Sequence, residues 1–581
     1  TIDDWPQHFY SAGGNAVSKD REIKPPLFHL QWTGGPRRSR HHDVMSSLTA
    51  CVSAGGRVFY IFDEGTTFSP FLPTKWTLIA RDAFNGTILW KRPIPKWFPN
   101  LHKLKSGPSN LPRRLVATQD KVYVTLGIEA NVSALDAVTG EILREYEGTK
   151  GTEEIVLEQS TQSLFLMSDE NDKPELKKYP YSALKSVPNR GKKIMRVSLE
   201  TNAVEWHHYA PMAAPLSLCV DDHHAYYFDG ERITALGKND GREVWKSEEL
   251  PILKNMPTNF GPRMVAVDNK LLFTGGENYK PHNGSQGQLT ALDALNGQSL
   301  WKGKSPPSGY QSPEDLLVVG GLVWQGAEEL SFKPDKDAFW FHHRCYPAKA
   351  TEDFLLLSRT GIEMIDLRKK EWTLHHWVRG ACLFGILPAN GLVYAPPHPC
   401  ACYIGAKLYG FTSLAAKNSY HPVWKATPQA KRLLNGERAP VAFKANADEA
   451  VAEWPMYRQN NRRSGAISKA LTPISKEIWK TDLGGKLTQP VVADKTVVVV
   501  QKDQHTVHAL DFDSGQAKWR FTAGGRIDSS PTLYRHRAYF GSTDGFLYCL
   551  DLQTGALIWK YQAAPASTRH MYFEQLESTH P

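Results

Sequence analysis

Short apolar segments separated by polar turns repeat along the whole chain. Residues 121–126 alternate apolar and polar side chains, and the phrase Asp-Ala-Val-Thr-Gly follows at 136–140. A period of two residues is that of a β-strand, and the glycine supplies the positive φ that such a tight turn requires. The pattern therefore predicts an all-β chain of short antiparallel strands joined by tight turns.

The turn phrase is an internal repeat. Ala-x-Asp, two variable residues, Thr, Asn or Ser, then Gly and a nearby Trp or Arg recurs in nine complete or degenerate copies. The clearest copies are centred on Asp82, Asp136, Asp293, Asp511 and Asp551. The last two aspartates are 40 residues apart, which is the length of one four-stranded propeller blade. Such a blade cannot bury both faces alone, so we expect the units to pack on one another.

Two places in the chain look like the beginning of a propeller. Residues 4–10, which contain Asp-Trp-Pro, are similar to residues 453–458, which contain Glu-Trp-Pro. The stretch 426–453 is rich in Ala, Lys, Glu and Asn without strand alternation, which is typical of a linker. We therefore predict a propeller of about eight blades over 1–425, a linker over 426–453, and two further blades over 454–581. The last two blades either complete the same ring or begin a second one.

The repeat resembles that of quinoprotein alcohol dehydrogenases, the pyrroloquinoline-quinone (PQQ)-like β-propellers, which the outer-membrane assembly lipoprotein of the Bam machinery shares. The chain is also similar to long planctomycete-type propeller proteins. The resemblance implies an all-β propeller of four-stranded antiparallel blades, with eight blades in the quinoprotein type. It further implies that tryptophans dock neighbouring blades, which assigns this role to Trp90, Trp245, Trp301, Trp519 and Trp559.

Composition and charge exclude several classes of protein. The chain has 581 residues, of which 41% are hydrophobic and 22% charged, so general disorder is excluded. The net charge of +9 is scattered, and no nucleic-acid-binding module is visible. No apolar run reaches the length of a membrane-spanning helix. The first residue, Thr1, indicates a mature product or a part of a longer multidomain protein.

The cysteines bear on the cofactor that the resemblance implies. Quinoprotein dehydrogenases hold the quinone beneath a disulfide between adjacent cysteines, whereas Ala401 separates Cys400 from Cys402 here. The calcium-ligand motifs of that family also find no match. PQQ is therefore not expected, and no cofactor is assigned. Whether the chain binds a metal ion stays open.

Residues 340–403 contain an unusual density of His, Cys, Arg and Tyr outside the repeat. In one interpretation, Cys345, Cys382, Cys400 and Cys402 form disulfides that tie loops of an exported protein. In a second, His398, Cys400 and Cys402 contribute to a site for zinc or copper.

A third interpretation of this region is catalytic. Histidine and tyrosine could act as base and acid while arginine neutralises a carboxylate, as in abstraction of a proton next to a uronate carboxyl group. The candidate residues are His42, His343, Arg344, Tyr346, Arg379 and Tyr403. Propeller loops converge on a central funnel, so residues distant in sequence can meet there.

We expect a periplasmic or secreted propeller that binds a polysaccharide or a protein partner through loops around the funnel. The leading alternative is an enzyme on the same surface, a carbohydrate-active lyase or hydrolase. A quinone-dependent dehydrogenase ranks below it. Whether the chain is an enzyme stays open at this point.

Overall fold

The structure is a computed structural model that describes most of the chain. The residues outside the description are 1–2, 37–38, 41–45, 70, 98–108, 170–185, 188–190, 251–255, 258–260, 276–286, 306–314, 325–345, 359–360, 399–404, 407, 418–426, 437–452, 469, 472, 474–475, 566–568, 573–574 and 579–581. The described chain forms two compact units, Thr1–Asn418 and Ser419–Pro581. It is all-β, as predicted, and its helical elements are short 3-10 turns at Leu111–Arg114, Gln429–Lys431 and Lys502–Gln504.

The first unit begins with five sheets of four strands each, in which hydrogen-bonded neighbours follow sequence order. Sheet 1 comprises Leu48–Ala54, Arg57–Asp63, Trp76–Asp82 and Ile88–Pro93. Sheet 2 comprises Leu115–Ala117, Lys121–Thr125, Val132–Asp136 and Ile142–Tyr146. Sheet 3 comprises Thr152–Glu158, Ser163–Ser168, Lys192–Ser198 and Val204–Ala210. Sheet 4 comprises Cys219–Val220, His224–Phe228, Ile233–Gly237 and Glu243–Lys246. Sheet 5 comprises Arg263–Val267, Lys270–Thr274, Gly287–Asp293 and Ser299–Ser305.

Three further sheets complete the described part of the first unit. Sheet 6 is the hairpin Leu317–Val319 and Leu322–Trp324. Sheet 7 comprises Lys349–Thr351, Phe354–Leu357, Ile362–Asp366 and Trp372–His375, with Val17–Ser18 added in parallel to its first strand. Sheet 8 comprises Leu387–Ala389, Leu392–Ala395, Phe411–Ala415 and, as its fourth strand, His29–Gly34. Ser186–Val187 and Met256–Pro257 form a separate two-stranded pair. The architecture is a β-propeller of antiparallel blades; the number of blades stays a prediction.

Alternation along each strand builds the core between sheets. Phe59 and Ile61 of sheet 1 pack with Val122 and Val124 of sheet 2 in one buried cluster. The residue between those valines, Tyr123, belongs to the cluster shared with sheet 3. Successive side chains of a strand point to opposite faces, so each sheet buries both faces against its two neighbours.

The N-terminal segment 3–20, which we call the strap, contacts the first strand of each of sheets 1 to 7 and the residue that follows the first strand of sheet 8. Trp5 and Ser53 of sheet 1 exchange two backbone hydrogen bonds, and the Pro6 carbonyl accepts the Ala117 amide of sheet 2. The Gln7 side chain exchanges two hydrogen bonds with the Leu157 backbone of sheet 3, at 2.9 and 3.0 Å.

The strap then continues around the remaining sheets. Its carbonyls at Ala12, Gly13 and Ala16 accept amides of sheets 4, 5 and 7, and the Asp3 carbonyl accepts an amide of sheet 8. The Asn15 side chain exchanges two hydrogen bonds with the Val318 backbone of sheet 6. A single segment therefore satisfies backbone groups around the whole first unit, where water would otherwise be needed.

Tryptophans dock the turn of the following sheet. The indole of Trp90 lies against Gly140 and donates to the Ala137 carbonyl at 3.1 Å. A side chain at Gly140 would meet the ring at 2.6 Å, so only glycine fits there. The same geometry joins Trp245 to Gly297 and Trp519 to Gly555, which confirms the predicted role of these three tryptophans. Trp32, Trp206 and Trp479 dock in the same way on Gly86, Gly241 and Gly515.

The second unit contains two sheets of the same kind and a small hairpin. Sheet 9 comprises Val491–Ala493, Thr496–Gln501, Thr506–Asp511 and Ala517–Thr522. Sheet 10 comprises Thr532–Tyr534, Arg537–Gly541, Phe546–Asp551 and Leu557–Gln562, with Leu433–Asn435 at its outer edge. The hairpin is Arg569–Tyr572 and Gln575–Ser578.

The predicted similarity between the two propeller-like beginnings has a structural counterpart. Trp454 exchanges two backbone hydrogen bonds with Val492 of sheet 9, as Trp5 does with sheet 1. The Pro455 carbonyl accepts the Leu533 amide of sheet 10, as Pro6 does with sheet 2. The two segments therefore make the same contacts to the first two sheets that follow them.

Candidate functional site

Buried charges cluster at the centre of the first unit, next to the strap. Arg263 and Lys349 are the first residues of the first strands of sheets 5 and 7, and Arg113 precedes the first strand of sheet 2. All three side chains are buried, together with His8 of the strap. Their mutual electrostatic influence is visible at His8, whose pKa burial holds well below its ordinary value, with Lys349, Arg113 and Arg263 adding to the effect. We call these four residues the basic cluster.

An ion pair compensates the first of these cations. Arg113 donates to the Glu154 carboxylate at 2.9 Å and to the Leu218 carbonyl at 2.8 Å. The other oxygen of Glu154 accepts the Leu216 amide at 2.6 Å. Burial raises the pKa of Glu154, and Arg113 opposes that rise. The pair joins sheets 2, 3 and 4 at the centre, where losing either partner would leave a buried unpaired charge.

Arg263 lies against the strap. Its guanidinium carbon is 3.5 Å from the ring centroid of Phe9, and the same ring has Arg113 at 5.4 Å. Arg263 also donates to the Gly14 carbonyl at 2.8 Å. Burial, followed by the neighbouring charge of Arg113, lowers the pKa of Arg263 to about 9. Phe9 therefore separates two cations and offers each an aromatic face.

Lys349 contributes a buried amine to the basic cluster. It donates to the Ile386 carbonyl of the segment leading into sheet 8, and its amine lies 3.8 Å from the Phe384 ring centroid and 5.2 Å from that of Trp5. Burial lowers the pKa of Lys349 to about 7, with a small opposing effect from Cys51. The amine is therefore sealed from solvent and in contact with aromatic rings, with its pKa well below that of an exposed lysine.

The basic cluster was missed in the sequence, although a signal was present. Pro112-Arg113 and Pro262-Arg263 each precede a Val-Ala strand, and Pro347 stands two residues before Lys349. A proline and a basic residue before an apolar first strand is thus a second repeated phrase.

The predicted catalytic residues are only partly within the described chain. His42, His343, Arg344 and Tyr403 lie outside the described residues. Tyr346 and Arg379 are buried together, with the guanidinium carbon 5.5 Å from the phenol centroid. The Tyr346 hydroxyl donates to the Gly361 carbonyl at 3.1 Å and accepts the Gly380 amide at 3.4 Å. Backbone groups thus use this hydroxyl, and its function as an acid stays a prediction.

The predicted metal and disulfide residues divide in the same way. Cys345, Cys400 and Cys402 lie outside the described residues, whereas Cys382 is buried against Tyr346. His398 is buried with its ring 5.6 Å from that of Tyr409. Within the described part of the chain, no three His, Cys, Asp or Glu side chains come close enough together to bind a metal ion. The described residues also contain no helix long and apolar enough to cross a membrane.

A surface loop displays aromatic side chains on a rigid base. The loop runs from residue 64 to residue 75 between the second and third strands of sheet 1, and we call it the aromatic loop. Phe68 and Phe71 in it are 92% and 80% exposed. Arg40 is buried beneath the loop and donates to the carbonyls of Leu72 and Pro73 at 2.8 and 2.9 Å.

Asp63 completes the base of the aromatic loop. One of its oxygens accepts the amides of Gly65 and Lys75, at 2.9 and 2.8 Å, so the two ends of the loop are joined. Its other oxygen lies 3.4 Å from Nε of Arg40, and both side chains are 1% exposed. Because strands of the sheet are antiparallel, the loop lies at the end where the first strand begins. The strap contacts the first strand at its other end, through Ser53.

Comparison with known proteins places this architecture. The family model described as outer membrane protein assembly factor BamB matches residues 182–330 and 423–579, just over half of the chain. The mouse beta-alanine-activating enzyme is 34% identical over 91 residues, which are 14% of this chain and 8% of that protein. This chain therefore spans only a small part of that relative.

Solved structures align over most of the chain at low similarity. BamB from Moraxella catarrhalis is 11% identical, with 77% of this chain and 96% of that chain covered and a TM-score of 0.26. Quinohemoprotein alcohol dehydrogenase ADHIIG from Pseudomonas putida HK5 is 11% identical, with 97% and 73% covered and a TM-score of 0.33. A europium-containing methanol dehydrogenase is 10% identical, with 97% and 86% covered and a TM-score of 0.34. These TM-scores are too low to support an argument about function. The repeat, the docked tryptophans and the matching family model together show that the chain belongs to the PQQ-like repeat family described as outer membrane protein assembly factor BamB.

Proposed function

We propose that the chain is a binding scaffold that works outside the cytoplasm and holds a protein partner through the aromatic loop. The observation that carries this proposal is the exposure of Phe68 and Phe71 on a loop fixed by buried Arg40 and Asp63. Aromatic anchors on a rigid element are typical of interface hot spots, because little conformational entropy is lost on binding. The family description, an assembly factor, supports a protein rather than a polysaccharide as the partner.

The centre of the first unit supports a structural rather than a catalytic role. The four side chains of the basic cluster are buried, as are Tyr346 and Arg379. A general acid or base must reach the proton that it transfers. The lyase or hydrolase alternative, the quinone-dependent dehydrogenase, a bound metal ion and closeness to planctomycete-type proteins stay predictions without a specific observation in their favour.

The test uses a photo-crosslinking amino acid at position 68, in the full chain produced in its source cells. We expect a defined protein adduct at position 68 and none at position 84. Phe84 is a matched control, because it is 45% exposed in the turn between the third and fourth strands of the same sheet. Equal crosslinking at the two positions, or an adduct at neither, would contradict the proposal.

A second measurement separates binding from stability. Replacing Phe68 and Phe71 together by Ser should abolish the adduct formed from an unaltered neighbouring position in the loop, with stability changed by no more than about 0.5 kcal/mol. The control is Phe84→Ser. Binding to an array of acidic and neutral polysaccharides that depends on Phe68 would instead favour a polymer partner.

A further inference from the structure

One strand of the first unit shows how a ring of this family is closed. His29–Gly34 lies early in the sequence but forms the fourth strand of sheet 8, paired with Phe411–Ala415. Trp32 in this strand docks on Gly86 of sheet 1 and donates to the Ala83 carbonyl at 2.7 Å. The strand therefore belongs to the last sheet by hydrogen bonding and to the first sheet by its tryptophan.

Residues 477–481 hold the corresponding position in the second unit. Trp479 docks on Gly515 of sheet 9, and its indole donates to the Phe512 carbonyl at 2.8 Å. Thr481 adds a hydrogen bond to the Gly515 carbonyl at 2.8 Å. The segment is thus anchored on sheet 9 by the same docking geometry that anchors the closing strand on sheet 1.

His29–Gly34 also pairs with the last sheet of the first unit, and this pairing has no counterpart for residues 477–481 within the described chain. No described strand pairs with residues 477–481, and Ile478, beside the docked tryptophan, is 80% exposed. Trp32, by contrast, is 3% exposed. An extended segment with open backbone groups and an apolar side chain in water is a template for another strand.

The far face of sheet 10 gives an independent indication. Tyr539 occupies the same position in its sheet as Phe59 and Tyr123, counting from the residue paired with the turn aspartate. Phe59 and Tyr123 are buried by the next sheet, whereas Tyr539 is partly exposed. Among the described glycines, none lies against the ring of Trp559, although Trp519 of the preceding sheet docks on Gly555. Within the described residues, both ends of the two-sheet stack therefore lack the neighbouring sheet that the first unit provides.

Another copy of this chain does not fit these two ends. If sheet 9 of a second copy packed on sheet 10, Trp559 would need Gly515, which Trp479 of that copy already covers. The first unit is no better, because His29–Gly34 already occupies the edge of its sheet 8. The occupant must present an uncovered turn glycine and a last sheet of three strands.

We propose that the second unit is an open arc that binds a further run of PQQ-like blades, and that residues 477–481 supply the fourth strand of the last of them. The incoming third strand pairs antiparallel with residues 477–481 and covers Ile478. At the other end, a turn glycine of the incoming blades lies beneath Trp559. This inference does not depend on the aromatic loop or on its partner.

The experiment measures hydrogen exchange in the full chain with a peptide probe. The probe has the sequence of residues 410–417, which contain the strand that fills this edge in the first unit. We expect the amides of residues 477–481 to exchange as an exposed strand in the free chain, and to slow by about tenfold or more with saturating peptide. Amides of His29–Gly34 should be protected in both conditions.

Two controls make the outcome specific. A peptide with Pro at the positions of Thr412 and Leu414 cannot donate from those residues, and it should give no protection. Trp479→Ala should abolish protection while the amides of Thr496–Gln501 stay slow, because it releases the segment without unfolding sheet 9. No protection by the probe, equal protection by the Pro peptide, or protection without peptide that grows with chain concentration would overturn the proposal. The last result would indicate a second copy as the occupant.

Discussion

The strap of the first unit and the segment that begins at Trp454 in the second unit start alike and then differ. In both, a Trp pairs with the first following sheet and a Pro carbonyl accepts an amide of the second, at Ala117 and at Leu533. In the first unit the segment goes on to contact the remaining described sheets. In the second, Tyr457 is exposed soon after Pro455.

The difference separates local docking from ring closure. A tryptophan on a turn glycine requires only two neighbouring sheets, so it forms equally well at Gly86 and at Gly515. A strap contacting many sheets and a fourth strand borrowed from the other end of the sequence require a complete set of neighbours. The same motifs are therefore compatible both with the closing strand of the first unit and with the open second unit that we propose.

The largest effect is expected on removal of the tryptophan that anchors each of the two segments, His29–Gly34 and residues 477–481. Trp32→Ala should cost about 3–5 kcal/mol, because a buried ring and the pairing of sheets 1 and 8 are both affected. Trp479→Ala should cost about 1 kcal/mol, because Trp479 is more exposed than Trp32. Denaturant-dependent hydrogen exchange, read separately in sheets 1 and 9, measures each unit. Equal costs would mean that the second segment is covered after all.

A reciprocal exchange at the next strap position sharpens the comparison. Gln7→Met leaves the amide and carbonyl of Leu157 buried without partners, which should cost about 1–3 kcal/mol. Met456→Gln, at the equivalent position after Trp454, should change stability by less than about 0.5 kcal/mol. Thermal unfolding of the two variants, followed by exchange in sheets 3 and 9, tests the pair. A neutral Gln7→Met would show that the strap is not needed for the first unit.

A third difference between the two units is a pH dependence that belongs to the first unit. The pKa of Lys349 is about 7 when folded and 10.5 in its ordinary state, so between these values the unfolded chain binds more protons. The free energy of unfolding should therefore rise with pH above about 7, and the Lys349 contribution should level off below pH 7.

Lys349→Met should remove this part of the dependence of the unfolding free energy on pH, while it conserves the apolar stem of the side chain. Lys495→Met is the control, because the Lys495 side chain is 79% exposed. Unfolding by urea at several values between about pH 7 and pH 9 gives the difference between each variant and the parent chain. Identical slopes for the parent and Lys349→Met would exclude a titrating buried amine.

Much of the fold could be predicted from the repeat. The turn aspartates and glycines, the alternating strands and the docking of Trp90, Trp245 and Trp519 depend on residues close in sequence or on adjacent sheets. The site was harder, because the basic cluster is assembled by residues from the strap and from sheets 2, 5 and 7. Four of the six predicted catalytic residues lie outside the described chain, and the other two are buried.

By itself, the sequence determined the strand period, the turns and the two similar beginnings at Trp5 and Trp454. These follow from short-range sterics and hydrogen bonding, which act within a single repeat. Only the tertiary structure decided that Arg263 and Lys349 both act on the buried His8. It also decided that His29–Gly34 is paired, whereas no described strand pairs with residues 477–481. Closure depends on which sheets are present to bury a face, and no single repeat carries that information.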